Sequence, residues 1–165
     1  MPTQAFTGSP ASVVETPSYT LSPVSEALGV DSGLFKVWLQ RGIIPEPASF
    51  RPESGWRRFT PSEVVGAAAV NALAQHVSVG DASAILKRIW EKQSDYWRLA
   101  VEKCPERIMI FTQDGGKNPF CYAGDSLGSI GELLNPGVGA YVALYFVGPS
   151  IAKVLSKLTG KGEQQ

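Results

Sequence analysis

Few side chains in this 165-residue sequence are able to make or break bonds. It holds two cysteines, Cys104 and Cys121, and a single histidine, His76. A tetrahedral metal site needs four ligands, and structural zinc sites rarely recruit carboxylates. The composition therefore implies reduced thiols and no bound metal. Gly124-Asp125-Ser126-Leu127-Gly128 has the outline of a hydrolase serine motif, but no histidine base follows it. No loop has convincing phosphate-binding spacing. The expectation is a protein that is not an enzyme and carries no cofactor.

A different chemistry is offered by cations placed beside aromatics. Trp56-Arg57-Arg58-Phe59 mixes the two types, as a short strand does when one face packs and the other is wet. Strand alternation points Arg57 and Arg58 to opposite faces, so only one makes the main contact, and Arg58 can pair with a carboxylate such as Glu53. Arg51 is a weaker candidate in the preceding loop. Lys36 and Arg41 fall on one expected helix, with Ser32 and Gly33 at its start. Free amides at a helix N-terminus attract phosphate, and Lys36 can reach a phosphate or a base edge. The plainer alternative for both cations is a solvated helical face. Trp38, Trp56 and Phe59 are expected to spend most of their surface packing helix against strand.

The charge balance limits the strength of any such contact. Lys+Arg number 15 and Asp+Glu 15, for a formal net charge of zero. Between Leu21 and Ser62 there are five cations (Lys36, Arg41, Arg51, Arg57, Arg58) against four anions (Glu26, Asp31, Glu46, Glu53). This balance argues against indiscriminate nucleic-acid binding and implies weak affinity from a single subunit, which two subunits on two half-sites would raise.

The elements that position these residues follow from spacing and punctuation. Residues 1–18 are Pro, Ser, Thr and Ala without periodicity and read as a disordered lead-in. Ser22-Pro23 opens a helix with Val24, Ala27 and Leu28 inside, and Gly29 stops it. Asp31 or Ser32 caps a second helix whose apolar stripe is Leu34, Phe35, Trp38 and Leu39, closed by Gly42. Ile43-Ile44-Pro45-Glu46-Pro47 cannot be helical. Thr60-Pro61-Ser62-Glu63 is a capping box opening an alanine-rich third helix to about His76. Ser78 and Asp81 start a longer fourth helix ending near Cys104, with Ala82, Ile85, Leu86, Ile89, Trp90, Tyr96, Trp97, Ala100 and Val101 apolar. That stripe can pair two subunits or pack on the chain's own C-terminal half.

Beyond Pro105 the period changes. Ile108–Phe111 and Phe120–Tyr122 read as strands about an Asp114-Gly115-Gly116 turn. Leu127–Leu134 reads as a short helix, and Tyr141–Val147 as a β-prone strand. A last helix from Gly148 buries Ile151, Val154, Leu155 and Leu158. The apolar run Val138–Val147 is too short to span a bilayer, and the N-terminus lacks the pattern of a signal peptide, so a soluble cytoplasmic protein is expected.

The block from Tyr19 to about Ile89 resembles the MerR-type winged helix-turn-helix domain. The resemblance lies in the Gly29-Val30-Asp31-Ser32 turn, then Phe35-Lys36-Val37-Trp38-Leu39-Gln40-Arg41-Gly42-Ile43-Ile44-Pro45, then Gly55-Trp56-Arg57-Arg58-Phe59-Thr60 and two further helices. The family's usual Arg-Tyr-Tyr-Glu string reads Lys36-Val37-Trp38-Leu39 here, and the glycine before the fourth helix is replaced by His76 or Val77. The pattern of elements makes the whole chain α+β, and the resemblance implies that the second helix enters the major groove and a hairpin wing presents Trp56-Arg57, favouring Arg57 as a backbone or minor-groove contact. It implies duplex DNA as partner and Ser32, Gly33, Lys36, Arg41, Trp56, Arg57 and Arg58 as contacts, in a homodimeric transcriptional regulator.

The expected organisation is a winged domain at 19–78, a connecting or dimerisation helix at 79–104, a small α+β domain at 105–160 and a tail at 161–165. The C-terminal part is a candidate site for a small-molecule or protein effector. The alternative is a winged-helix assembly module of a phage or nucleoprotein complex with little DNA affinity. A less favoured third reading is a sensor whose ligand lies among Tyr122, Tyr141, Tyr145 and Phe146.

Overall fold

The computed structural model describes residues 16–113, 118–123 and 142–160. Residues 1–15 of the lead-in, the Asp114-Gly115-Gly116 turn, the Gly124–Gly128 motif, the Leu127–Leu134 helix, Tyr141 and the 161–165 tail lie outside the described residues.

Two short helices open the described chain. The first, α1 (Leu21–Leu28), is capped by the backbone of Thr20 and not by the Ser22 hydroxyl, so it starts earlier than the Ser-Pro signal suggested. It ends at Gly29, whose φ of 70° is a left-handed conformation that a side chain would strain. The next, α2 (Ser32–Gln40), is capped by the Asp31 carboxylate, which accepts from Gly33 N at 2.8 Å and Leu34 N at 3.1 Å.

The central element is α3 (Pro61–Leu73), opened by the expected capping box of Thr60 and Glu63. Every residue from Val64 to Val70 is buried, because α1, α4 and the last helix all pack on it. A Cβ at Gly66 would overlap Cη2 of Trp90, so any larger residue there needs the Trp90 ring to move.

The long α4 (Val79–Lys103) leaves helical geometry at Gln93, where φ is −138°. Its stripe of Ala82, Ile85, Leu86, Ile89, Trp97, Ala100 and Val101 is buried within this chain, first against α3 and then against the sheet. Of the two roles open to that stripe, the single chain therefore shows internal packing. Tyr96 departs from it and is 38% exposed.

A 3-10 turn at Pro105–Arg107 leads into β1 (Ile108–Gln113), the middle strand of a three-stranded antiparallel sheet with β2 (Asn118–Ala123) and β3 (Val142–Phe146) at its edges. Ile108, Ile110, Cys121 and Tyr145 face the main core. Met109 and Phe111, with Phe120, Tyr122 and Leu144, form a second cluster on the opposite face. The outer edge of β2 is closed by α4, since Cys121 N donates to Gln93 Oε1 at 2.8 Å and Ala123 N to the Tyr96 hydroxyl at 3.0 Å.

The last helix, α5 (Gly148–Thr159), buries Ile151, Val154 and Leu158 against α1 and α3. Its Lys157 Nζ donates to Ala27 O near the end of α1 at 3.3 Å, where a cation also complements the helix dipole. One apolar core thus runs from Val24 to Leu158. The fold class is α+β, as the pattern implied.

Candidate nucleic-acid interface

At 100° per residue, Phe35, Trp38 and Leu39 fall on one side of α2 and Gly33, Leu34, Lys36, Val37, Gln40 and Arg41 on the other. The first group is buried, with Phe35 fully enclosed and tilted against Phe59 at a centroid distance of 5.8 Å. Apart from the half-buried Val37, the second group is exposed. Leu34 therefore does not belong to the apolar stripe to which spacing assigned it, and is 48% exposed. Full burial of a leucine is worth roughly 1.5–3 kcal/mol, so leaving half of it wet forgoes packing energy. The outward arc carries Lys36, Arg41 and the Gln40 amide with no carboxylate among them.

The start of α2 does not offer the free amides expected of a phosphate cradle. Those of Gly33 and Leu34 are already taken by Asp31, whose negative charge also opposes a phosphate there. The Ser32 hydroxyl is turned toward α1, at 2.8 Å from Ser25 Oγ.

The wing lies between Ala48 and Phe59. Trp56-Arg57-Arg58-Phe59 is not a continuous strand: Arg51 pairs with Trp56 and Tyr19 with Phe59 as isolated bridges. Side chains supply the remaining backbone partners. The buried Ser49 hydroxyl accepts from Arg58 N at 2.8 Å and donates to Arg58 O. The Glu63 carboxylate, besides completing the capping box, accepts from Ala48 N at 2.9 Å. These contacts tie the wing base to the start of α3.

This framework gives the two wing arginines different partners and reverses the expected assignment. Arg57 forks onto Glu46, with Nε to Oε2 at 2.8 Å and Nη2 to Oε1 at 3.0 Å. Its guanidinium also lies 4.1 Å from the Phe50 ring centroid. The hydrogen bond to Glu46 holds the Arg57 proton more tightly than usual. No pair joins Arg58 to Glu53. Arg58 instead spreads over the Trp56 ring at 5.7 Å and donates to Ser18 O at 3.3 Å. Trp56, expected to pack, is 46% exposed. Among the described residues Lys36, Arg41 and Arg58 enter no ion pair, so they and Arg51 are the cations this region offers to solvent.

Glu46, Ser49 and Phe50 were not singled out as site residues from sequence, and neither were Leu34 and Gln40. A carboxylate between two prolines is a weak hint for Glu46, since the extended backbone holds it in place. Nothing local marks Phe50 as the surface beneath Arg57.

Other expectations concern the C-terminal part. The third helix, expected to run to about His76, ends at Leu73, and His76 is an exposed residue in the turn that follows, its ring centroid 5.9 Å from that of Tyr145. Tyr122 and Tyr145 lie on opposite faces of the sheet, so they do not line one ligand site. Among the described residues no group of His, Cys, Asp and Glu is arranged to hold a metal ion, and no helix is long and apolar enough to cross a membrane.

A helix-turn-helix of α1 and α2, a short wing and the capping-box helix α3 define the winged helix-turn-helix class. Residues 19–88 match the family described as MerR HTH family regulatory protein, so this part of the chain is similar to a MerR-type helix-turn-helix domain. The match ends inside α4, and the sheet and α5 lie beyond it. No curated protein matches the chain.

Proposed function

We propose that the protein is a transcriptional regulator that binds duplex DNA sequence-specifically as a homodimer in the cytoplasm. In this reading α2 enters the major groove and the wing lies on the flanking backbone. Lys36 and Arg41 contact the groove and its phosphates, and Arg58 with Trp56 contacts the backbone beside it. Ser32 and Gly33 lie close to the DNA without donating an amide cradle. Arg57 holds the wing in shape through Glu46. Residues 19–78 form the reading unit, and residues 105–160 are left for an effector or partner.

The observation that carries this reading is the outward arc of α2, which is cationic and amide-bearing and lacks any carboxylate. Pairing two copies compensates for the light charge of one, because each half-site adds its own phosphate contacts. Since the α4 stripe is covered within the chain, pairing uses other surface.

Binding of the full chain to mixed duplex DNA at low and moderate salt tests the proposal. Affinity that falls steeply with salt supports it. A folded protein that binds no duplex at low salt overturns it. A second reading, an assembly module of a nucleoprotein complex, draws on the neutralisation of Arg57 by Glu46 and on the zero net charge. It predicts DNA binding only in the presence of a protein partner.

A further inference from the structure

We propose that Leu34 is a specificity-determining residue that reads a thymine through its C5-methyl group in the major groove. This rests on the DNA-binding reading above and adds to it the base that the first turn of α2 selects.

Leu34 is 48% exposed on a helix whose inner side is already filled by Phe35, Trp38 and Leu39. Packing does not require it. It stands in the first turn of α2, and a helical side chain leans toward the N-terminus, the end of a recognition helix that meets base edges. The same turn is closed to phosphate, because the Asp31 carboxylate occupies the amides of Gly33 and Leu34 at 2.8 and 3.1 Å. Phosphate contacts then fall to Lys36 and Arg41 further along, and the first turn is left to the bases.

Val37, one helical turn on and half-buried, extends the apolar strip, while Lys36, Gln40 and Arg41 flank it. An apolar spot set among hydrogen-bonding groups suits a major-groove surface that is polar except at the thymine methyl. The arc itself carries no carboxylate, and the Asp31 charge at its N-terminal end faces the amides of Gly33 and Leu34, which offset it in part.

The test begins by selecting duplexes from a random-sequence pool on the full-length protein. The best duplex is then remade with deoxyuridine replacing each thymidine in turn, which removes only the methyl group. At one position per half-site the substitution should weaken binding by about fourfold, as loss of one buried carbon group implies. Leu34→Ala should bind the thymidine and uridine duplexes equally at that position, and Leu34→Met should restore the preference. Circular dichroism should be unchanged, since Leu34 lies outside the core.

Enrichment of duplexes with no uridine effect, or with the same effect in Leu34→Ala, overturns this inference and leaves the DNA-binding reading standing. Failure to enrich any duplex overturns both.

Discussion

The Arg57 guanidinium and the Glu46 carboxylate face each other as two forks, 2.8 and 3.0 Å apart, with the Phe50 ring beneath. Glu46 lies between two prolines, of which Pro47 disfavours a helical backbone at Glu46, and Arg57 sits on the returning arm of the wing. The pair therefore sets the distance between the wing and the segment leaving α2. With side chains 20% and 30% exposed, it is partly shielded from water and its two parallel bonds fix the orientation. A double-mutant cycle of Arg57→Ala and Glu46→Ala, read by chemical denaturation, should give a coupling of about 1 kcal/mol, the upper end for accessible pairs. Arg57→Lys should recover less than half, because an ammonium cannot make the fork. A coupling near zero would show that the pair does not brace the wing.

Arg58 should matter more than Arg57 for DNA. Its backbone is clamped by Ser49 and its guanidinium is in no ion pair among the described residues. Removing one phosphate contact lowers the slope of log affinity against log salt by about 1 and weakens binding on every sequence. Arg58→Ala should show both effects in a salt titration, whereas Arg57→Ala should keep the slope and lose stability. The opposite pattern would return the contact to Arg57 and make Glu46 its competitor.

The close approach of α3 and α4 at Gly66 gives a sharp packing test. A Cβ there would lie 2.8 Å from Trp90 Cζ3 and closer still to Cη2. Gly66→Ala ordinarily favours a helix, by up to about 1 kcal/mol. Here the Trp90 ring would have to move, and overpacking costs about 1–3 kcal/mol, so the net change should be destabilising. Trp90→Ala in the same chain should remove the penalty. Thermal melts of the two single variants and the double variant decide it.

Much of this fold was readable because its signals are local. The Thr60–Glu63 capping box, the Ser78 cap with Asp81 and the Gly29 stop each act within four residues, and the structure places helix ends at or beside them. The wing was less readable, since Ser49 and Tyr19 supply the backbone partners of Arg58 and Phe59 from elsewhere in the chain. Leu34 was misplaced because apolar spacing cannot say where a buried stripe ends: it sits one residue from Phe35, at the edge of the arc. The partner of Arg57 was missed for a related reason. Glu46 and Glu53 are both close in sequence, and only the path of the loop decides which carboxylate arrives.

Side chains of α4 stand where another strand would pair with β2, so their loss should expose that edge. Gln93→Ala removes the acceptor for Cys121 N, and Tyr96→Phe removes the hydroxyl at Ala123 N. An uncompensated amide costs about 1–3 kcal/mol if it stays dry. Hydrogen exchange should speed up at Cys121 in Gln93→Ala and at Ala123 in Tyr96→Phe, while Ile110 on the central strand stays protected. Unchanged exchange at both edge amides would mean that the helix only covers the strand sterically.

Cys121 gives the fold an alkaline weakness. Burial beside the main core, reinforced by nearby Cys104, pushes its thiol from 9.0 up to about 12. The folded state therefore holds this proton where the unfolded chain releases it. The stabilisation is complete below the unfolded value, and is lost as pH rises from about 9 toward 12. Denaturation midpoints should fall over that window in the native chain and fall less in Cys121→Ala, whatever the cavity does to the absolute value. Because only thiolate reacts, iodoacetamide at pH 8 should label the half-buried Cys104 well before Cys121. Equal labelling rates in the folded protein would show that the sheet opens faster than the reagent attacks, and the alkaline loss would then belong to other groups.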